Sequence, residues 1–412
     1  MLSVAPAANL RELFCDLHVH LGWAGGGVGG GVKISAARDL TLANILKECR
    51  ERKGIQMIGV IDAATTGALA DLELLMADGT VTERPGGGLA YRMGDGEDVT
   101  LIPGAEVEVA HTANGKAVHL LAYVPGVAQL RALAAWQEGR VRNRWLSTQR
   151  HHDTTAADVV RFVGSLGGIV IPAHIFTPFK GALGAAASIS EVIPPDLWQH
   201  VPAVELGLSA DTALADELPE LALFSYVTNS DAHSLGKIGR EYNLIAAAEP
   251  SFAELVMALR GEGGRRVVAN YGLEPRLGKY HRTYCLTCDR RLDGEAPVLE
   301  CPVSPDHKLV PGVLDRIRWY GERQAGLRRI PRERPAYVHQ VPLQFVPGLG
   351  KRGMDRLLAA FGTEMGVLHR ASEAELAAVL SPKLARLVVG ARAGTLAIEA
   401  GGGGAYGKVI AE

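Results

Sequence analysis

Asp16-Leu-His18-Val-His20 closes a run, Leu13–His20, whose residues suit a buried strand. Side chains two apart on a strand project from one face, so both imidazoles can reach one cation. An HxH pair alone says little, but the arrangement recurs. Glu106 ends a strand-like run in GAEVEV, His119 opens HLLAYV, His174 sits in PAHIFTPF, and Asp231 with His233 forms another same-face pair in NSDAHS. Asp62 closes the run Met57–Asp62. Such a mixed nitrogen and oxygen donor set suits Zn, Mn or Fe, and a carboxylate such as Glu106 can bridge two ions. Two close cations lower the pKa of a shared water and neutralise charge on an attacked phosphate. The competing reading is a group of hydrogen-bonded core histidines, which suits His200 and His369 because each stands alone.

These residues need a frame. Leu13–His20, Met57–Asp62, Val99–Val109, Ala117–Tyr123, Gly168–Pro172, Ala203–Leu206 and Leu223–Thr228 read as strands. Asp39–Lys53, Thr155–Leu166 and Phe252–Arg260 have helical spacing. Alternation of the two predicts a parallel α/β sheet or barrel, and seven strands favour a distorted TIM-like (β/α)7 barrel. His18, His20, Asp62, Glu106, His174 and Asp231 then fall at the strands' C-terminal ends, where such barrels carry their chemistry.

Cys285-Leu-Thr-Cys288 is a zinc-knuckle half-site, followed by Cys301 and by His307 in CPVSPDHK. Two cysteines plus a later Cys and His make a closed four-coordinate structural zinc site. The second CxxC is broken by Ser304, so His307 completes the site through a wider loop or the three thiols are free. Cys15 and Cys49 read as inert core residues. Beyond a Pro-rich stretch, RRIPRERPAYVHQVP, which reads as an extended linker, comes Phe345-Val-Pro-Gly348-Leu-Gly350-Lys351-Arg352-Gly353 before an amphipathic helix. Its glycines would bring backbone N–H groups to a phosphate at a helix N-terminus, with Lys351 and Arg352 adding charge but no base specificity. SEAELAAVLSPKLARLVVGARAG is helical too, and Gly401–Gly404 reads as a turn or tail. Seven glycines lie between Gly22 and Gly31 without the GxxxxGK[ST] spacing, so a flexible rim near the metal mouth is expected rather than a phosphate cradle.

Composition narrows the class. The 412 residues imply two or three units; 47% hydrophobic residues and a mean hydropathy of +0.09 exclude disorder, and no run is long enough to span a membrane. Five cysteines cannot frame a secreted scaffold, and the start MLSVAPAANLRELFCDLHVH lacks a signal-peptide pattern, so a cytoplasmic protein is expected. Net charge is −2, but residues 261–360 hold 18 basic and 11 acidic residues, a net of +7, leaving −9 for the rest. A basic segment on an acidic body suggests a polyanionic partner.

DLHVH, GAEVEV followed by HLL, PAH and NSDAH, in this order, resemble the polymerase-and-histidinol-phosphatase (PHP) metal-hydrolase domain. IPAHIFTPFKG, VELGLSADT, NSDAHSLGKIGREYN and LGKYHRTYCLTC are similar to the endonuclease Q family, which nicks DNA on the 5′ side of deaminated bases. The resemblance runs from residue 13 into the glycine-rich tail. It implies that His18, His20, Glu106 and Asp231 hold a first ion and Glu106, His119 and His174 a second, with His233 and Asp62 at a third position. Many PHP domains carry an Asp-His pair where this chain reads Ile61-Asp62-Ala63, so two ions (Mg, Mn or Zn) are the expectation, with a third left open. Lys180, Arg240 and Lys279, from the family-like segments, are candidate cations for the scissile phosphate. Tyr280, His281 and Phe179 are candidate stacking partners for an extruded base.

The expected organisation is a PHP domain over 1–270, a zinc-binding module over 271–335 and a helix-hairpin-helix-like DNA-binding region over 336–412. The expected activity is DNA cleavage 5′ to uracil, hypoxanthine, xanthine or an abasic site, with a sliding clamp as a conceivable partner and no membrane. A PHP-type phosphomonoesterase shares the ions but needs neither basic segment nor hairpin. A catalytically silent DNA-binding scaffold would not need so full a donor set.

Overall fold

The computed structural model describes residues 9–26, 29–92, 97–327 and 332–410. Seven strands make the barrel: β1 (Arg11–Val19), β2 (Met57–Val60), β3 (Val99–Ala110), β4 (Ala117–Tyr123), β5 (Ile169–Pro172), β6 (Ala203–Glu205) and β7 (Ser225–Val227). β7 starts late because Pro219–Leu223 winds into a 3-10 turn. β1, β2 and β3 are parallel neighbours, β4 is antiparallel to both β3 and β5, and β6 and β7 form a parallel pair. The Ile175 N–H bonds the Glu205 carbonyl at 2.9 Å beyond β5, and Val19 bridges Ala232 beyond β7 to close the ring.

The expected (β/α)7 barrel is therefore present in distorted form, with one strand reversed. Between β3 and β4 lies only HTANGK, residues 111–116, too short for the helical crossover that parallel strands need. On its other edge β1 pairs antiparallel with β8 (Tyr242–Ala247), which leads to β9 (Arg266–Gly272) and β10 (Ala336–His339). β10 corrects the extended-linker expectation for part of that stretch: Ala336–His339 is a parallel edge strand on β9, while residues 328–331 lie outside the described residues. Pro335 stands just before it, at a strand start, where a missing N–H is tolerated.

Packing follows the strand alternation. On β4, Leu121 and Tyr123 join a core with Leu13, Cys15, Leu17, Ile171 and the helix Phe252–Arg260. Leu120 and Ala122 face the other way, toward Val159, Val160 and Val163 of the helix Ala156–Ser165. That helix begins at Thr155, whose capping box with Asp158 is worth about 1 kcal/mol against alanine.

Tyr284–Cys285, Arg290–Arg291 and Leu309–Val310 form a three-stranded sheet around the cysteines. Buried Asp315 accepts hydrogen bonds from Thr283 and Val298 N–H groups at 2.8 and 2.9 Å, fastening this sheet to the helix Val313–Arg323. The same helix sends Val313, Ile317 and Tyr320 into the barrel's outer core. Helices Lys351–Phe361, Glu364–His369, Glu373–Val379 and Pro382–Ala393 share a separate core with Leu273 and Leu277. Buried Lys53 pairs with Glu364 at 2.8 Å and ties them to the barrel. Among the described residues no helix is long and apolar enough to cross a membrane.

Candidate metal centre

The two histidines of DLHVH reach the centre through a bulge. Asp16 pairs with Ile58 and Val19 with Val60, so β1 carries one residue more than β2 over this stretch. A bulge re-aims the side chains that follow it. Asp16 is fully buried and anchors the bend, accepting the Gly239 N–H at 2.9 Å and the Ser230 N–H at 3.1 Å. His18 and His20 then lie with ring centroids 5.3 Å apart. His174 and Asp231, at φ +31° and +45°, occupy the left-handed region that non-glycine residues rarely adopt. Such strain concentrates at functional sites.

Six expected donors converge. Donor atoms of His18, His20 and Asp231 lie within 4.8 Å of one another, as do those of Glu106, His119 and His174. His18 and His20 Nε2 stand 3.5 and 3.4 Å from Asp231 Oδ1. Glu106 lies between the groups: Oε1 is 3.6 Å from His18 Nε2, 3.7 Å from His174 Nε2 and 2.7 Å from His119 Nδ1, and Oε2 is 3.7 Å from His20 Nε2.

Each ring is aimed from behind. His18 Nδ1 meets Glu205 at 3.0 Å, His20 Nδ1 meets Asp62 Oδ2 at 3.0 Å, His174 Nδ1 meets Thr177 Oγ1 at 3.1 Å, and His119 Nε2 meets Glu108 at 3.1 Å. Asp62 Oδ2 also accepts the Leu21 N–H at 2.8 Å, so Asp62 is turned to His20 and joins neither donor group. His233 also lies outside them, its ring 4.5 Å from that of His20 and its Nδ1 3.0 Å from the Asp231 carbonyl.

The donors fit divalent ions. Bonds of ~2.1 Å set neighbouring ligand atoms roughly 3.0–3.5 Å apart, close to the spacings around Asp231. His18 Nε2 is buried without a hydrogen-bond partner, an expensive state for a polar atom unless it has a ligand to meet. The electrostatics agree. Burial opposes protonation of His18, yet Glu205, Asp231 and Glu106 raise it to about 10. On carboxylates burial acts in the opposite sense and would raise Glu106 and Asp231, but His119 and Lys33 hold the first, and His18 and His20 the second, well below the carboxylate range. Ionised carboxylates thus surround the rings, a pocket that calls for positive charge.

The other expected residues sit around this centre. Lys180 Nζ pairs with Glu108 at 3.2 Å. Arg240 is buried, donating from Nε to the Ser230 carbonyl at 2.6 Å and from Nη1 to Tyr406 Oη at 3.2 Å, so it braces the Asp231 loop against the tail. Lys279 Nζ lies 4.6 Å from the centroid of the same Tyr406 ring. Tyr280 meets exposed Phe179 edge-on at 5.9 Å, and His281 is buried with Nδ1 unpaired.

Sequence reasoning passed over Glu205, Glu108, Lys33 and Thr148. Glu205 ends a buried strand and Glu108 shares the face of Glu106, so the rule that selected Glu106 applied to both. Lys33 donates to Glu106 Oε2 at 3.2 Å and to Thr148 Oγ1 at 2.6 Å.

Cys285, Cys288, Cys301 and His307 form a second cluster, with Cys288 and Cys301 sulfurs 3.8 Å apart and His307 Nδ1 3.2 to 3.6 Å from the three. Tetrahedral bonds of ~2.3 Å from a metal to sulfur give edges of roughly 3.8 Å. No disulfide forms, and the Cys288 N–H points at the Cys285 sulfur at 3.3 Å, as in a metal knuckle. In the hairpin, Gly348 takes φ +82° and Gly350 caps the helix Lys351–Phe361, with Lys351 paired to Asp355 at 2.8 Å and Arg352 exposed.

The family model described as PHP-associated matches residues 223–262, which carry Asp231, Arg240 and β8. Protein YqxK of Bacillus subtilis (strain 168) is 42% identical over 403 residues, covering 97% of this chain and 100% of that protein. Protein MJ0043 of Methanocaldococcus jannaschii is 35% identical over 258 residues, 57% of this chain and 31% of its own length. Among solved structures, the lesion-specific endonuclease PfuEndoQ from Pyrococcus furiosus superposes with a TM-score of 0.78 at 26% identity, covering 97% of this chain and 95% of that one. Endonuclease Q bound to a 27-mer duplex with an abasic lesion at its active site gives the same TM-score and identity over 98% and 97%. Kinship with YqxK along its entire length, and one fold shared with endonuclease Q from end to end, make this chain a member of the endonuclease Q-like family of PHP proteins.

Proposed function

We propose that this protein is a metal-dependent endonuclease that cleaves the DNA phosphodiester 5′ to deaminated bases (uracil, hypoxanthine or xanthine) or abasic sites in DNA repair. The observation that carries the reading is the convergence of six imidazole and carboxylate donors around Glu106, in a chain that matches endonuclease Q over 97% of its length. His18, His20 and Asp231 would hold one ion and Glu106, His119 and His174 another, with Mg, Mn or Zn suited to the donors. Divalent cations in such a centre supply Lewis acidity and make a water nucleophilic at neutral pH.

The chain's own residues do the rest. Glu205, Asp62 and Thr177 keep the rings aimed, and Arg240 acts as a positioning residue by fixing the Asp231 loop. Lys180, exposed and held by Glu108, is free to exchange that partner for a phosphate oxygen, and His233 lies beside Asp231 to orient it. A zinc ion on Cys285, Cys288, Cys301 and His307 would close the small module. Backbone N–H groups after Gly348 and Gly350, with Lys351 and Arg352, grip phosphates without reading bases. Lys279, over the Tyr406 ring that Arg240 also meets, would contact the strand around an extruded lesion together with Tyr280 and His281.

The test is incubation of the purified protein with Mg²⁺ or Mn²⁺ and duplexes carrying uracil, hypoxanthine, xanthine or an abasic site. Nicks 5′ of the lesion are expected, reduced to background in His18→Ala and Asp231→Ala variants that keep the wild-type circular dichroism. Undiminished nicking by both variants, or hydrolysis of phosphomonoesters without any nick, would overturn the proposal.

A further inference from the structure

Lys33 reaches the centre on a segment that only glycine allows to fold. Trp23–Ala24 pairs antiparallel with Gly30–Gly31, and the N–H groups of Val32 and Lys33 bond back to the carbonyls of Gly22 and Leu21 at 3.1 and 3.0 Å. A Cβ on Gly22 would stand 1.8 Å from the Ala37 carbonyl oxygen, and one on Gly29 1.9 Å from that of Ala24. Neither position accepts a side chain. Where a flexible rim is expected, Gly22–Ala24 and Gly29–Lys33 form a folded arm; Gly27 and Val28 lie outside the described residues.

The arm sets the Lys33 ammonium against one oxygen of Glu106. Lys33 Nζ lies 3.2 Å from Glu106 Oε2, and Thr148 Oγ1 donates to that same oxygen at 2.7 Å. Glu106 is thus divided: Oε1 faces His18, His119 and His174, and Oε2 faces an ammonium, a hydroxyl and His20. On the Oε2 side Asp62 Oδ1 is buried without a hydrogen-bond partner, a negative charge with only neighbouring cations to balance it. Its other oxygen, Oδ2, is held by His20 and the Leu21 N–H, and His233 Nδ1 turns to the Asp231 carbonyl.

We propose that the Lys33 ammonium takes the place of a third cation and fixes this centre at two ions. A fixed charge beside Glu106, Asp62 and Asp231 supplies attraction that a third divalent ion would otherwise supply, and it repels such an ion. Lys33 is also a positioning residue, holding Glu106 so that Oε1 serves the donor groups. The inference rests on the reading of the centre as a metal site.

Metal counting by native mass spectrometry after Mn²⁺ loading tests it on wild type, Lys33→Met, which keeps the apolar stem and loses the charge, and Lys33→Arg, which keeps the charge. Beyond the cysteine cluster, wild type and Lys33→Arg are expected to hold two ions and Lys33→Met three. Three ions in wild type would overturn the inference, even if Lys33→Met fails to fold. So would a Lys33→Met count of two with unchanged Mn²⁺ dissociation constants. No ion at the histidine centre of any variant, with the cysteine cluster loaded, would instead overturn the metal-centre reading.

Discussion

Glu205 governs His18 more than any neighbour in sequence does. Its carboxylate, 1% exposed, accepts from His18 Nδ1, from Asn229 Nδ2 at 2.8 Å and from the His174 N–H at 2.8 Å, so one side chain orders two donor-bearing residues. Partners behind a ligand raise its basicity and fix its tautomer, and their loss costs ~10- to 100-fold in metal affinity. Glu205→Gln keeps the shape and removes the charge. Chelator competition is expected to show weaker metal binding by about that factor, with nicking recovered at high Mn²⁺. Unchanged affinity would show that Glu205 only packs.

At the scale of elements, the centre depends on strands held in register by buried polar staples. Glu241 immediately precedes β8, fully buried, and accepts hydrogen bonds from Thr228 beyond β7 and from the Leu273 N–H beyond β9 at 2.7 Å. Burial outweighs these bonds and raises its carboxyl to about 8. A folded-state pKa above the unfolded one means the protonated form stabilises. That contribution is complete below about 4.5 and is lost as pH rises through about 8. Glu241→Gln offers an oxygen to Leu273 and an amide to Thr228 at every pH. Between about pH 5 and 9 the melting temperature of wild type is expected to fall more than that of Glu241→Gln. Parallel curves would refute the assignment.

Over the whole molecule, the charge division parallels the architecture. The acidic body holds the barrel and its carboxylates, and the basic stretch runs through the small module to the hairpin. Each phosphate contact contributes about 0.9 to the slope of log K against log salt. Lys351→Ala with Arg352→Ala is therefore expected to weaken binding equally for lesion and plain duplexes and to lower the slope by ~1–2, read by fluorescence anisotropy across a salt series. An unchanged slope would place the DNA path elsewhere. Lys351 shares its charge with Asp355, so Arg352 alone should carry the larger part.

Much of this protein is legible along the chain, because alternation and residue chemistry are local. DLHVH, GAEVEV, PAH and NSDAH announce donors on or just beyond strands, and the helical spacing of Thr155–Leu166 announces a helix, whereas the reversal of β4 across HTANGK is not read from the sequence. What the tertiary structure alone decided is partnership. Glu205 lies 187 residues from His18, Asp62 serves His20 instead of standing among the donors, Arg240 braces a loop, and Lys33 meets Glu106 across 73 residues. Ala336–His339 became a strand only because β9 offered an open edge. A side chain's type limits which bonds it can make. Burial, which removes water as the alternative partner, selects among them, and burial is a property of the folded chain.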